Sequence, residues 1–238
     1  MGRSLSRLFA ENGHDVFLLG IGEEELQASA TDVKERALGA QSKAQIGYAV
    51  CDLERPETFA PALDAATQTL GGMDTVIVTA GLFGTQDRLE QDLEFTRRLL
   101  TVNFAHTVLF CEHARTRLLA RGGGTLCAFS SVAGDRGRKP VVLYGASKAG
   151  LSAYLEGLDH KFRSQGLVTL CVKPGFVKTG MTEGLPTPPF AGTPEQVARD
   201  VLLAIEKKKP ILYTPFMWRW VMLVIRNLPR MVMRKLGF

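Results

Sequence analysis

The stretch from Ser130 to Lys148 reads SSVAGDRGRKPVVLYGASK and holds a hydroxyl at Ser131, a phenol at Tyr144 and an ammonium at Lys148. Tyr144 and Lys148 are four residues apart, so on a helix their side chains lie on the same face. A free phenol titrates near pH ~10, and a neighbouring ammonium favours its ionised form. We therefore predict that Lys148 lowers the pKa of Tyr144 enough for proton transfer near neutrality, while Ser131 holds the oxygen that receives the proton.

This arrangement resembles the active site of the short-chain dehydrogenase/reductase family, in which Tyr-x-x-x-Lys follows a serine by thirteen residues. Ser131, Tyr144 and Lys148 have both spacings. The resemblance implies an α/β fold with a Rossmann-like, doubly wound parallel sheet. It also implies reduction of a ketone by a nicotinamide cofactor. Tyr144 would protonate the carbonyl oxygen, Ser131 would orient it, and Lys148 would also hold the nicotinamide ribose.

The composition fits one globular domain, which we assign to residues 1–212. The 238 residues are 45% hydrophobic and 22% charged, as expected for a chain with a sizeable core. The four cysteines are far apart and are expected to be buried in a reducing compartment. No CxxC or HExxH motif occurs, so we expect no metal site. No signal-peptide pattern or spanning apolar run is found, and we expect a cytoplasmic protein.

The chain begins with a predicted helix, because Leu5, Leu8 and Phe9 have helical spacing and a buried strand follows at residues 15–19. In the family, a first strand and a glycine-rich turn precede this helix and bring backbone N–H groups to the cofactor pyrophosphate. Gly2 matches the last glycine of that turn. We expect this chain to lack the first strand of the sheet. The two explanations are a start codon assigned too late and a truncated, inactive protein.

Further positions match cofactor contacts of the family. Asp52 and Leu53 match an acidic pair at the adenine ring, and Val78-Thr79-Ala80-Gly81 stands where the family has Asn-Asn-Ala-Gly. Pro174 and Gly175 match a turn against the nicotinamide, and Thr179 matches a threonine that bonds its carboxamide. The residues predicted to contact the cofactor are Gly2, Asp52, Leu53, Ala80, Gly81, Tyr144, Lys148, Pro174, Gly175, Val177 and Thr179. Residues 180–192 are predicted to form a flexible substrate lid.

Two further features concern catalysis and the choice of cofactor. Asn103 matches the fourth member of the family's catalytic set, which bonds a main-chain carbonyl and helps keep a water beside the lysine. The alternative is an asparagine at a helix cap or kink. Gly20-Ile21-Gly22 has no acidic residue where NAD-dependent members carry one, so the sequence favours NADP over NAD.

Residues 213–238 are predicted to form a basic amphipathic C-terminal helix. Eight Lys or Arg and no Asp or Glu lie between residues 207 and 238, which leaves 21 basic against 24 acidic groups in the rest of the chain. This pattern is typical of a helix in a membrane interface that meets anionic head groups, and Pro229 should bend it. The alternatives are a helix that covers the core and a dimer contact. Nucleic acid is not indicated. One helical stripe holds Arg219, Arg226, Arg230 and Arg234.

The tail and the stretch SSVAGDRGR also resemble one subgroup, the decaprenylphosphoryl-2-keto-ribose reductases. These reduce a keto-sugar on a polyprenyl phosphate after a flavoprotein oxidase has acted. The resemblance implies a peripheral enzyme on the inner face of the plasma membrane, and the family implies a homodimer or homotetramer. Two alternatives stay open: a generic reductase of a soluble or acyl ketone, and a non-catalytic membrane-bound scaffold that has lost nucleotide binding.

Overall fold

The computed structural model describes residues 1–184 and 186–237. Parallel strands alternate with helices along the chain. The strands are β1 (Val16–Gly20), β2 (Ile46–Val50), β3 (Thr75–Val78), β4 (Gly124–Phe129), β5 (Leu167–Pro174) and β6 (Ile211–Thr214). The helices are α1 (Gly2–Glu11), α2 (Glu23–Gly39), α3 (Phe59–Leu70), α4 (Gln86–Gln91), α5 (Leu93–Leu100), α6 (Thr107–Ala120), α7 (Val142–Phe162), α8 (Pro194–Glu206), α9 (Met217–Asn227) and α10 (Arg230–Lys235), with a π-helical turn at Thr101–His106.

The strands form two parallel sheets. One has the order β3-β4-β5-β6 and the other pairs β1 with β2. Within the described residues no ladder joins β1 to β3, although side chains of both strands pack in one core cluster with α3. The predicted Rossmann-like α/β fold is confirmed.

Helices cover both faces of the four-stranded sheet. Leu63 of α3, Phe110 of α6 and Leu151 of α7 pack on one face. Leu5 of α1 and Val197 of α8 pack on the other. Every residue of β5 is buried, which explains why this strand reads as a nearly continuous apolar run.

The carboxyl ends of the strands carry the candidate site residues. The turn after β4 holds Ser131, β5 ends at Pro174, and β3 is followed by Thr79, Ala80 and Gly81. In open parallel sheets, ligands bind at this edge. The fold therefore brings the predicted residues, which are far apart in sequence, to one edge of the sheet.

The tail is not the single helix predicted from the sequence. The boundary drawn after residue 212 falls inside β6, and the helical part divides into α9 and α10 at Leu228–Pro229. Proline at this point has no N–H to continue the helix. Met222 and Ile225 of α9 are buried against Val132, so one face of the tail covers the body of the protein. Among the described residues, no helix is both long enough and apolar enough to cross a bilayer.

Candidate active site

Two glycines allow the turn after β4 to lie directly on α7. A Cβ atom at Gly134 would lie 2.7 Å from the backbone N of Ala149, and one at Gly145 would lie 2.8 Å from the carbonyl O of Ala133. Contacts this short are too close for any side chain at either glycine. Because neither glycine has a side chain, Ser131 approaches Tyr144 closely enough to act on the pKa of its phenol.

The phenol of Tyr144 is held in an apolar environment. The ring of Phe83 packs edge-to-face on it, with centroids 5.2 Å apart and planes at 80°. Burial raises the pKa of Tyr144 to about 12, and the neighbouring Ser131 acts in the opposite direction. The prediction that Lys148 lowers this pKa was therefore wrong, because removal of water from the phenol dominates and the opposing effect comes from Ser131.

Lys148 is buried on α7 and reaches back to β4. Its Nζ donates to the carbonyl O of Phe129 at 2.9 Å and lies 5.9 Å from the ring centroid of Tyr144. Burial lowers the pKa of Lys148 to about 8. An ammonium has three N–H donors, and this is its one hydrogen bond to the described residues, so donors are left for a ligand.

Asn103 lies in the π-helical turn between α5 and α6 and is fully buried. Its Oδ1 accepts from the backbone N of Leu82 at 2.6 Å, and its Nδ2 donates to the carbonyl O of Leu82 at 2.8 Å. A Cβ atom at Gly81 would lie 3.2 Å from Asn103 Oδ1 and 3.4 Å from Lys148 Nζ. Asn103 therefore holds the loop after β3 beside Lys148, which a sequence match could not reveal.

The predicted contacts at the adenosine end have local partners. Asp52 Oδ1 accepts from the backbone N of Glu54 at 2.8 Å, so this carboxylate stabilises its own turn. The carbonyl O of Leu53 lies 2.6 Å from Nδ1 of His106. A Cβ atom at Gly2 would lie 2.9 Å from Thr79 Oγ1. The start of α1 therefore lies against the residue that follows β3.

The Pro174–Gly175 turn has a neighbour that the sequence did not indicate. A side chain at Gly175 would overlap the indole ring of Trp218, a residue of α9 that packs against this turn. The side chain of Val177 is buried in the cluster with Leu5 and Val197, so only its backbone could contact a cofactor.

The predicted lid begins with a capped turn. The backbone N of Thr179 donates to Thr182 Oγ1 at 3.0 Å, and Val177 bridges to Gly192 at the base of the segment. A cleft of about 450 Å³ is lined by residues of this segment and by Phe176, Lys178 and Thr179, which precede it. Leu185 lies outside the described residues.

A carboxylate also lies at the end of β1. An oxygen of Glu25 occupies the space that a side chain at Gly22 would take. The sequence places Glu25 three residues into a helix, so its return towards Gly22 was not predicted. This negative charge lies near the end of the strand where the sequence had indicated no acid.

Three comparisons bear on the identity of the chain. A family model for short chain dehydrogenases matches residues 1–188. The chain belongs to the short-chain dehydrogenase/reductase family. An uncharacterized oxidoreductase of Mycobacterium tuberculosis is 33% identical over 166 residues, which are 70% of this chain and 67% of that protein. Carbonyl reductase family member 4 of Xenopus tropicalis is 28% identical, over 87% of this chain and 86% of that protein.

The solved structure of an actinorhodin polyketide ketoreductase with NADPH has the same fold. It superposes with a TM-score of 0.78 at 20% identity, covering 89% of this chain and 90% of that one. As a member of the short-chain dehydrogenase/reductase family, the chain is an NAD(P)-dependent oxidoreductase. The site fits a nicotinamide cofactor, because buried Lys148 has unused N–H donors beside Gly81, where no side chain obstructs the approach.

Proposed function

We propose that this chain is an NADPH-dependent ketoreductase that acts on a ketone carried by a lipid, with Tyr144 as the proton donor. The observation that carries the proposal is the close packing of the turn after β4 on α7, with Gly134 against Ala149 and Gly145 against Ala133, which brings Ser131 close to Tyr144. Two neighbouring hydroxyl groups suit a carbonyl oxygen, which gains negative charge during reduction. The names of the reductase relatives support the same chemistry.

Ser131, Tyr144 and Lys148 each have a separate role in the proposed reaction. Ser131 donates a hydrogen bond that orients the carbonyl oxygen, and Tyr144 passes its phenolic proton to that oxygen. The raised pKa of Tyr144 keeps the phenol protonated and ready to donate at neutral pH. Lys148 then stabilises the phenolate and uses its remaining N–H donors to hold the ribose. When bound, the reduced nicotinamide supplies the hydride.

NADPH is the proposed reductant because Gly20-Ile21-Gly22 has no acid to bond the ribose hydroxyls. The carboxylate of Glu25 beside Gly22 favours the second candidate, NADH, because it would repel a 2′-phosphate. The two are separated by kcat/KM for each reductant in the unchanged chain and in Glu25→Gln. If Glu25 restricts NADPH, the substitution raises kcat/KM for NADPH and lowers it for NADH.

The lipid carrier is proposed from the tail. Its exposed apolar side chains include Phe216, Trp220, Leu223, Val224 and Met231. The cations Arg219, Arg226, Arg230, Arg234 and Lys235 are also exposed, and none takes part in an ion pair within residues 1–184 and 186–237. An apolar face edged by unpaired cations suits a surface of anionic lipid.

The proposed substrate is the one implied by the decaprenylphosphoryl-2-keto-ribose reductase subgroup, a keto-sugar on a polyprenyl phosphate. Such a ketone arises by oxidation of a secondary alcohol, so a flavoprotein oxidase is the proposed partner. The proposed location is the inner face of the plasma membrane, with the chain bound peripherally as a homodimer or homotetramer.

The test is a reduction assay with a short-chain prenylphosphoryl 2-keto-ribose beside a small soluble ketone. It uses both the 238-residue chain and a version extended to the next upstream in-frame start. We expect NADPH binding by titration and a much higher kcat/KM for the prenylphosphoryl substrate. Reduction of the soluble ketone alone would favour a generic reductase. Failure of both versions to bind NADPH or NADH would favour the non-catalytic scaffold.

Membrane binding is tested by sedimentation with phosphatidylglycerol and phosphatidylcholine vesicles. Deletion of residues 213–238 would cut β6, so substitutions are the cleaner test. Replacing Arg226, Arg230 and Arg234 with Gln should reduce binding to phosphatidylglycerol vesicles by about 3 kcal/mol, at about 1 kcal/mol for each cation. The control replaces the exposed Lys34, Lys43 and Lys161 with Gln, which removes the same charge outside the tail. An equal loss in the control would argue against a specific surface.

A further inference from the structure

Helix α9 carries two tryptophans in opposite surroundings. Trp220 is 51% exposed, whereas Trp218 is half-buried in a cluster with Val132, Met222 and Ile225. Residues two apart on a helix do not share a face. The helix therefore has an inner face against the protein and an outer face towards solvent, each marked by one tryptophan.

The inner tryptophan joins the Pro174–Gly175 turn to the lid. The indole of Trp218 fills the space where a side chain of Gly175 would lie, and its Nε1–H donates to the carbonyl O of Phe190 at 3.4 Å. Phe190 has a φ of 69°, a left-handed conformation that is rare for a bulky residue. Strained backbone of this kind persists where surrounding contacts hold it, and it is common at ligand clamps.

The inner face of α9 also reaches the loop that carries Ser131. Met222 and Ile225 pack on Val132, the residue after Ser131. Arg136 of the same loop donates from Nη2 to the carbonyl O of Leu228 at 3.0 Å, at the end of the helix. Helix α9 thus contacts all three segments around the proposed ketone site.

We propose that Trp218 forms a wall of the substrate site and that α9 links this site to an anionic lipid bilayer. The flat, apolar indole contacts the part of the ketone next to its carbonyl, and the outer face with Trp220 lies on the bilayer. An amphipathic ketone then passes from the lipid to Ser131 along the helix. This inference rests on the proposed ketoreductase function and adds the residue that recognises the substrate.

Because Trp218 and Trp220 are the only tryptophans of the chain, fluorescence separates the two faces. Trp220→Phe leaves Trp218 as the only tryptophan, and Trp218→Phe leaves Trp220. We expect NADPH with a prenylphosphoryl ketone to reduce acrylamide quenching of Trp218 several-fold and that of Trp220 little. Phosphatidylglycerol vesicles should protect Trp220 several-fold and Trp218 little. Equal protection of both tryptophans by either agent would overturn the two-faced assignment.

The contact itself is tested by a double-mutant cycle. Gly175→Ala pushes Trp218 out of its place, and we expect KM for the ketone to rise about tenfold, the scale of one misfitting methyl group. Trp218→Ala removes the clash when it is added to Gly175→Ala. It should therefore raise KM less in the Gly175→Ala variant than in the unchanged chain. Additive effects would overturn the wall assignment. Thermal unfolding identifies any variant that fails to fold, and Trp218→Phe then serves for the KM comparison.

The failures of the two proposals can be told apart. If NADPH binds by titration but the ketone leaves both the quenching of Trp218 and the KM of Trp218→Phe unchanged, the wall role of Trp218 is wrong and the ketoreductase proposal stands. If no nicotinamide cofactor binds, the ketoreductase proposal itself fails.

Discussion

The ammonium of Lys173 lies 2.6 Å from Asp135 Oδ1, and the two side chains are only 10% and 2% exposed. Tyr213 donates to the other carboxylate oxygen at 2.7 Å. Burial lowers the pKa of Lys173, but the hydrogen bond and charge of Asp135 outweigh this effect and leave it raised. Asp135 follows the turn of Ser131 and Lys173 precedes Pro174, so the pair ties together two loops of the proposed site.

Removal of the Asp135 charge or of the Tyr213 hydroxyl should lower the free energy of unfolding. Asp135→Asn leaves the ammonium of Lys173 buried without a counter-charge, with an expected loss of about 3–5 kcal/mol in the free energy of unfolding. Tyr213→Phe removes one hydrogen bond to a charged group and should cost about 2 kcal/mol. Urea unfolding at neutral pH measures both. A loss for Asp135→Asn no larger than that for Tyr213→Phe would contradict a buried, paired charge.

The contact between the turn after β4 and α7 should tolerate no side chain. Gly134→Ala places a Cβ atom against the backbone of Lys148 and Ala149, and we expect a loss of about 1–3 kcal/mol in stability together with most of the reductase activity. Gly137→Ala in the same loop is the control, because nothing lies within 4 Å of its added Cβ. Similar losses in both variants would mean that the close approach is unimportant.

Tyr144→Phe should abolish proton donation while leaving the fold intact. Loss of a general acid typically lowers the rate by about 10²–10⁴-fold, so we expect kcat for ketone reduction to fall by that factor. Tyr154→Phe is the matched control, since its hydroxyl donates to Glu112 at 2.7 Å, away from the proposed ketone site. Retained ketone reduction in Tyr144→Phe would exclude the proposed proton donor.

The buried charge of Lys148 should lower the free energy of unfolding by an amount that depends on pH. Burial lowers its folded pKa from 10.5 to about 8. Below pH 8 the lysine is charged in both the folded and the unfolded chain. The full cost of burying this charge then lowers the free energy of unfolding by about 3 kcal/mol, which corresponds to two to three pKa units. Between the folded pKa of about 8 and the unfolded pKa of 10.5, the unfolded chain binds more protons than the folded chain, so the free energy of unfolding rises with pH.

Lys148→Met has no such charge to bury. Its stability relative to the unchanged chain should therefore be highest below about pH 8 and should decline as the pH rises towards about 10. Urea unfolding of both proteins at several pH values across this range measures the difference. A difference that does not change with pH would mean that Lys148 is not buried as a charged group.

Local patterns in the chain indicated its helices and strands, and the spacing of Ser131, Tyr144 and Lys148 carried the family resemblance that implied the parallel α/β fold. A buried parallel strand has a continuous apolar run, as β5 does, and residues four apart on a helix share a face. The break of the tail at Pro229 is equally local, because proline alone ends the helical hydrogen bonding.

The pKa values of the site, and the contacts between distant segments, came only from the folded chain. The sequence predicted a lowered pKa for Tyr144 from its spacing to Lys148, whereas burial raises it to about 12. Desolvation depends on everything packed around the phenol, including Phe83, and spacing along one helix does not report it. Likewise, Trp218 meets Gly175, and Asp135 meets Lys173, across 38 or more residues of chain. Only tertiary packing brings such partners together.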